Sequence, residues 1–122
     1  MIGYVCIGTN DLAASAAFYD ALLATVGGKR HWETERFIAW HNAPTSPMLI
    51  MIKPLDGQPA TVGNGTMVAL AVGSTAMVDA IHAKALALGG KDEGAPGNRG
   101  ENFYAAYFRD LEGNKLAAFH TG

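Results

Sequence analysis

Cysteine is nearly absent: Cys6 stands alone among 122 residues, so no disulfide can close within the chain and no zinc-finger spacing of Cys and His exists. A reducing compartment, the cytoplasm, is the expected location. Charge is also sparse. Nine Lys and Arg against eleven Asp and Glu leave a net charge of -2, and neither sign runs in a block, so neither nucleic acid nor an anionic membrane surface is an expected partner. Long apolar runs are missing too. The stretch from Met48 to Ile52 falls far short of the roughly twenty residues a membrane span needs. The opening Met1-Ile2-Gly3-Tyr4-Val5-Cys6-Ile7 turns polar at Thr9-Asn10-Asp11, unlike a signal peptide. No Gly-x-Ser-x-Gly elbow is present, and no His is evidently placed beside Cys6.

What is present is globular composition, 49% hydrophobic and 16% charged, in a length suited to one domain over residues 1–122. Ile2 to Gly8 is apolar and β-branched and reads as a strand, and Asn10-Asp11 supplies side chains that can accept from the first N–H groups of a helix. Leu12, Ala16, Tyr19, Leu22, Leu23 and Val26 recur at helical steps, and Gly27-Gly28 provides a stop. Extended segments follow near Arg30 to Thr34, Phe37 to His41 and Met48 to Lys53. Pro54 to Asn64 has the composition of a connection between a first module of about 1–57 and a second of about 64–122.

The pattern then begins again. Thr66 to Val72 reads as a strand, Ser74 or Thr75 as a cap, and Met77, Val78, Ile81, Ala85 and Leu88 mark a helix stopped at Gly89-Gly90. Phe103 to Arg109 and Lys115 to Phe119 read as strands around the turn Asp110-Leu111-Glu112-Gly113-Asn114, with a weaker strand near Lys91 to Glu93. Gly94 to Asn102, rich in Gly and charge, reads as a loop that could cover a cavity. Setting Tyr4 against Met67 also aligns Val5 with Val68, Ile7 with Leu70, Leu23 with Leu86 and Gly27 with Gly90. The chain therefore reads as two copies of one βαβββ unit, an α+β architecture.

Tyr4-Val5-Cys6-Ile7-Gly8-Thr9-Asn10-Asp11-Leu12 with Ala17-Phe18-Tyr19, Asn64-Gly65-Thr66, and Phe108-Arg109-Asp110-Leu111-Glu112-Gly113-Asn114-Lys115-Leu116 carry a resemblance. Together they resemble the vicinal oxygen chelate superfamily of glyoxalases, bleomycin-resistance proteins and extradiol dioxygenases, with Leu111 where proline is usual. The resemblance implies a glyoxalase-like fold in which two βαβββ modules form a cupped mixed sheet around a cavity, commonly as a homodimer. It also implies a divalent metal held by His and carboxylate side chains. Those positions fall here on Tyr4, on Ile50 or Met51, on Met67 and on Ala117, none of them a suitable ligand. No metal and no other cofactor is therefore expected.

Other donors do not converge. His31, Glu33 and Glu35 alternate along one strand with roughly 7 Å between successive same-face side chains, and read as an exposed face. His82 beside Asp79 reads as a solvent-exposed helix pair, and Cys6 as a small buried apolar residue rather than a reactive thiolate. If the resemblance sets Tyr4 and Met67 inward, alternation adds Cys6; on the hairpin near Ala117 the pattern of the resembled family and alternation together favour Phe103 and Tyr107, with Trp40 as their rough counterpart in the first half. The expected function is metal-independent binding of a small, partly apolar molecule by Tyr4, Cys6, Trp40, Met67, Phe103 and Tyr107. The alternative is a glyoxalase-like isomerase or lyase, or a dioxygenase relative, with non-standard or no metal ligands, in which Tyr4 or Tyr107 would serve as acid or base. The third possibility is a cup packed solid by these side chains.

Overall fold

The computed structural model describes residues 1–122, which fall into two compact units, Met1–Val62 and Gly63–Gly122. The first unit runs β1 (Tyr4–Gly8), α1 (Leu12–Ala24), β2 (Lys29–Glu33), β3 (Phe37–His41) and β4 (Met48–Ile52). Its strands form one sheet of order β1-β4-β3-β2, with β1 parallel to β4 and the other pairs antiparallel.

Local chemistry sets the bounds of α1. Asp11 accepts from the Ala14 N–H at 3.0 Å, and the Thr9 hydroxyl accepts from the Asp11 N–H while sharing a 2.7 Å bond with Ser15 Oγ. At the other end Gly27 takes φ 77° and the Gly28 N–H reaches back to the Leu23 carbonyl at 2.7 Å. A Cβ on Gly28 would stand 2.8 Å from Leu23 Cβ, so the stop needs glycine. The helix ends at Ala24 rather than Val26, because the last residues already form this turn.

Phe18, Tyr19, Leu22 and Leu23 of α1 are buried, and Trp40 lies against Tyr19 with ring centroids 5.8 Å apart. Register partners share a sheet face, so Ile7, Met51, Ile38 and Leu49 are on the Trp40 side and complete the core. Arg30 grips Asp20 through both carboxylate oxygens, at 2.9 and 2.7 Å, and the Trp40 indole N–H donates to Asp20 at 2.9 Å. Arg30, and less strongly the indole, hold the Asp20 carboxyl below the usual carboxylate range, against the opposing effect of its burial.

A folded-state pKa depressed in this way contributes stability above the unfolded value, near 4, that is lost as pH falls through the folded value. Asp20→Asn should therefore flatten the acid limb of a melting-temperature profile below about pH 4. The effect is expected to be under about 1 kcal/mol, because the pair is partly exposed. An unchanged acid limb would remove Asp20 from the account of acid stability.

The second unit repeats the order as β5 (Val68–Ala71), α2 (Thr75–Ala87), β6 (Lys91–Gly100), β7 (Phe103–Arg109) and β8 (Lys115–Thr121), in a sheet β5-β8-β7-β6. Ser74 caps α2 by accepting from the Met77 N–H. Both helix bounds are displaced by the same amount from those of α1, as the Tyr4 and Met67 alignment predicts. The glycine stop arrives one residue sooner: Gly89 has φ 99° and Gly90 donates to the Ala85 carbonyl, so Gly89 and Gly90 match Gly27 and Gly28.

Two expectations change here. Gly94 to Asn102 is mostly strand, since β6 continues to Gly100 through three register shifts, and Asn102 at φ 52° makes the turn into β7. His82 is buried rather than exposed, and its partner is Asp92 on β6 at 2.9 Å, while Asp79 accepts from the Tyr104 hydroxyl at 2.6 Å. A helix residue next to a buried position can reach a neighbouring strand, so the i−3 pairing inferred from sequence alone did not form. The two helices and two four-stranded mixed sheets constitute the glyoxalase-like α+β fold. No helix is long and apolar enough to cross a membrane.

Candidate functional site

Each unit has one helix, so each sheet has a face that no helix of its own unit covers. In the first unit the rows on that face are Cys6, Ile50, Ala39 and Trp32, then Gly8, Ile52 and Phe37, with Tyr4 beside Met48. Trp32 meets Phe37 edge to face at 5.3 Å, and the His31 and His41 rings lie tilted by 30° with centroids 4.2 Å apart. Tyr4 is 61% exposed and Cys6 is exposed, which corrects the expectation of a buried thiol.

Trp40, expected on this face, is not there. It is 1% exposed and lies on the opposite side against α1, since Phe37, Ala39 and His41 take the open side and alternation sends Ile38 and Trp40 to the helix. Besides Tyr4, the open face of this unit carries Trp32 and Phe37, which sequence reasoning did not select. Alternation from Phe37 was the available signal; for Trp32 a bulge in β2 shifts the register and hides it. The same alternation decides between Ile50 and Met51: Ile50 pairs with Cys6 on the open face, while Met51 pairs with Ile7 in the core.

In the second unit the open-face rows are Ala69, Ala117, Tyr107 and Gly94, then Ala71, Phe119, Ala105 and Gly97, with Phe103 beside Thr121 and Gly100. Phe103 and Tyr107 thus share this face, and Phe119, unselected from sequence, stacks on Phe103 with centroids 5.5 Å apart and planes at 18°. Met67 lies just before β5 and is 43% exposed. The Tyr107 ring has Arg99 from β6 at 5.6 Å and Lys115 from β8 at 5.5 Å. A Cβ on Gly94 would come within 2.9 Å of the Tyr107 ring, and one on Gly97 within 2.9 Å of the Arg99 guanidinium, so these glycines make the room both side chains occupy.

The positions that the resemblance marks for a metal therefore carry a phenol at Tyr4, an aliphatic chain at Ile50, a thioether at Met67 and a methyl at Ala117. This donor set does not fit a divalent ion, which takes imidazole, carboxylate or thiolate. No three His, Cys, Asp or Glu side chains elsewhere are grouped to hold one.

The chain matches the model of the Glyoxalase/Bleomycin resistance protein/Dioxygenase superfamily over residues 1–118. A solved glyoxalase/bleomycin resistance protein from Albidiferax ferrireducens T118 is 39% identical, with a TM-score of 0.92 over 100% of this chain and 99% of that one. A hypothetical protein, SA1046, from S. aureus is 25% identical, with a TM-score of 0.76 over 98% and 92% of the two chains. A lactoylglutathione lyase from Agrobacterium tumefaciens, 21% identical, shares the fold with a TM-score of 0.73 over 98% and 92%. No curated protein matches the chain. On the extent of the family match and the 39% identity over full length, the chain belongs to the Glyoxalase/Bleomycin resistance protein/Dioxygenase superfamily.

Proposed function

We propose that this protein binds a small, partly apolar molecule on the open faces of its sheets without the help of a metal. The observation that carries the reading is the substitution of chemistry on those faces. At the positions the resemblance marks for an ion, this chain carries Tyr4 and Ile50 in the first unit and Met67 and Ala117 in the second; Trp32 and Phe37 on the open face of the first, and Phe103, Tyr107 and Phe119 on that of the second, offer aromatic surface. Apolar contact contributes about 25 cal/mol per Å² of area removed from water, before association costs, so such surface can hold a ligand alone. Phenol groups at Tyr4 and Tyr107 supply polar handles. Lewis-acid chemistry has no ligand set here on which to run. The reading extends to the cytoplasm and to a homodimer, for which exposed Ile2, just ahead of the edge strand β1, and Tyr4 and Val5 within it supply apolar surface.

The test is a mutational asymmetry. With a ligand found by thermal-shift screening, Tyr107→Ala or Met67→Ala should weaken binding roughly tenfold, the loss of one well-buried apolar contact. Glu33→Ala, which removes an exposed partner of Arg30, and Lys84→Ala on the outer surface of α2 should leave affinity within about twofold. Equal losses in both pairs would contradict the site, and turnover of the ligand would make the protein an enzyme.

A further inference from the structure

We infer that the ligand carries an anionic group, a carboxylate or phosphate on an apolar body, and that Arg99 and Lys115 receive it beside Tyr107. The inference rests on the binding reading above. Three facts point to it. Arg99 and Lys115 reach the Tyr107 ring from β6 and β8, the two strands flanking β7. Neither takes part in any ion pair of the chain, Arg99 donating only to the Ala95 backbone carbonyl. The acid that feels Lys115 is already engaged: Glu93 accepts from Arg109 Nε at 2.7 Å, and Arg109, with a smaller contribution from Lys115, holds its carboxyl below the usual range.

With Glu93 taken by Arg109, and Asp92 bonded to His82, Arg99 and Lys115 leave a positive excess beside the Tyr107 ring in a chain whose net charge is -2. The excess borders the aromatic surface of Phe103, Tyr107 and Phe119 rather than the far side of the sheet, where His82 and Tyr104 meet their carboxylates. Gly97 is part of the arrangement, because any side chain there would displace the guanidinium. Guanidinium and ammonium donors give charge-assisted hydrogen bonds to carboxylate or phosphate oxygens, while a cationic compound would be repelled from this end of the face.

Titration calorimetry with naphthoate, naphthyl phosphate and uncharged naphthalenemethanol tests this on the whole protein. At low salt one or both anions should bind about tenfold tighter than the alcohol, with the preference shrinking at high salt. Whichever anion is preferred identifies the headgroup. Arg99→Gln with Lys115→Gln, both on solvent-accessible side chains, should cut the preference to about twofold while leaving the alcohol unchanged. Gly97→Ala, which moves only the end of a flexible side chain, should reduce it in the same direction. Equal binding of alcohol and anions, or a preference that survives the double substitution, overturns the inference while leaving the binding reading intact. No binding by any of the three compounds overturns both.

Discussion

Trp40→Ala is expected to destabilise the fold by about 4 kcal/mol, the range for truncating a large buried aromatic side chain. Its indole is buried between β3 and α1, touches the Tyr19 ring, and donates its N–H to the carboxylate that Arg30 also holds. Alanine would leave a void beside Tyr19 and remove one of the bonds that fix Asp20. Trp40→Phe keeps most of the apolar contact and loses the hydrogen bond, for an expected cost of about 1.5 kcal/mol. Urea denaturation followed by circular dichroism measures both. Were Trp40 part of the ligand surface, as its sequence position suggests, alanine would cost little stability and much affinity, and that outcome would contradict the placement on the helix side.

Asp110→Ala should cost about 3 kcal/mol, from the loss of charge-assisted bonds in a buried turn. Asp110 Oδ1 accepts from the backbone N–H groups of Glu112 and Asn114, each at 2.9 Å, and Oδ2 accepts from the Asn114 side-chain amide at 3.1 Å. Both Asp110 and Asn114 are buried, and Gly113 takes φ 91° between them. Without the carboxylate two backbone donors lose their acceptor, and the loop that sets the register of β7 against β8 loosens. Asp110→Asn retains one acceptor oxygen and should recover about half of the loss. Because Tyr107 and Ala117 are register partners across this hairpin, ligand affinity should fall with stability in the alanine variant. A stability change below about 1 kcal/mol for Asp110→Ala would show that the turn holds without its side-chain bonds.

The Asp110 turn was legible in the sequence because turn chemistry is local: an Asp, a glycine able to take positive φ and an Asn lie within five residues. The helices were legible for the same reason, their caps at Asp11 and Ser74 and their glycine stops being short-range devices. Tyr4, Cys6, Phe103 and Tyr107 were given a face by the resemblance together with two-residue alternation, and the register of β1 on β4 and of β7 on β8, free of shifts, puts Tyr4 with Cys6, and Phe103 with Tyr107, on one face of each sheet. Trp40 could not, because its side depends on Asp20, twenty positions away, and on the phase of a five-residue strand. Trp32 was hidden by the bulge between Arg30 and Trp32, and β6 by three further irregularities, each of which shifts phase without a marker in composition. His82 found Asp92 on a neighbouring strand, a pairing that only the tertiary packing of α2 on β6 brings about.

The central claim, a ligand surface that works without a metal, is tested most directly by one calorimetric comparison. The same ligand is titrated into protein as purified and into protein dialysed against EDTA, with metal content measured in both samples. Equal affinity, and a melting temperature unaffected by the chelator, is the predicted result, since a bound ion would stabilise the folded state in proportion to its occupancy. Loss of binding in EDTA, restored by returning one divalent metal, would show that the ion has ligands other than Tyr4, Ile50, Met67 and Ala117 and would contradict the account.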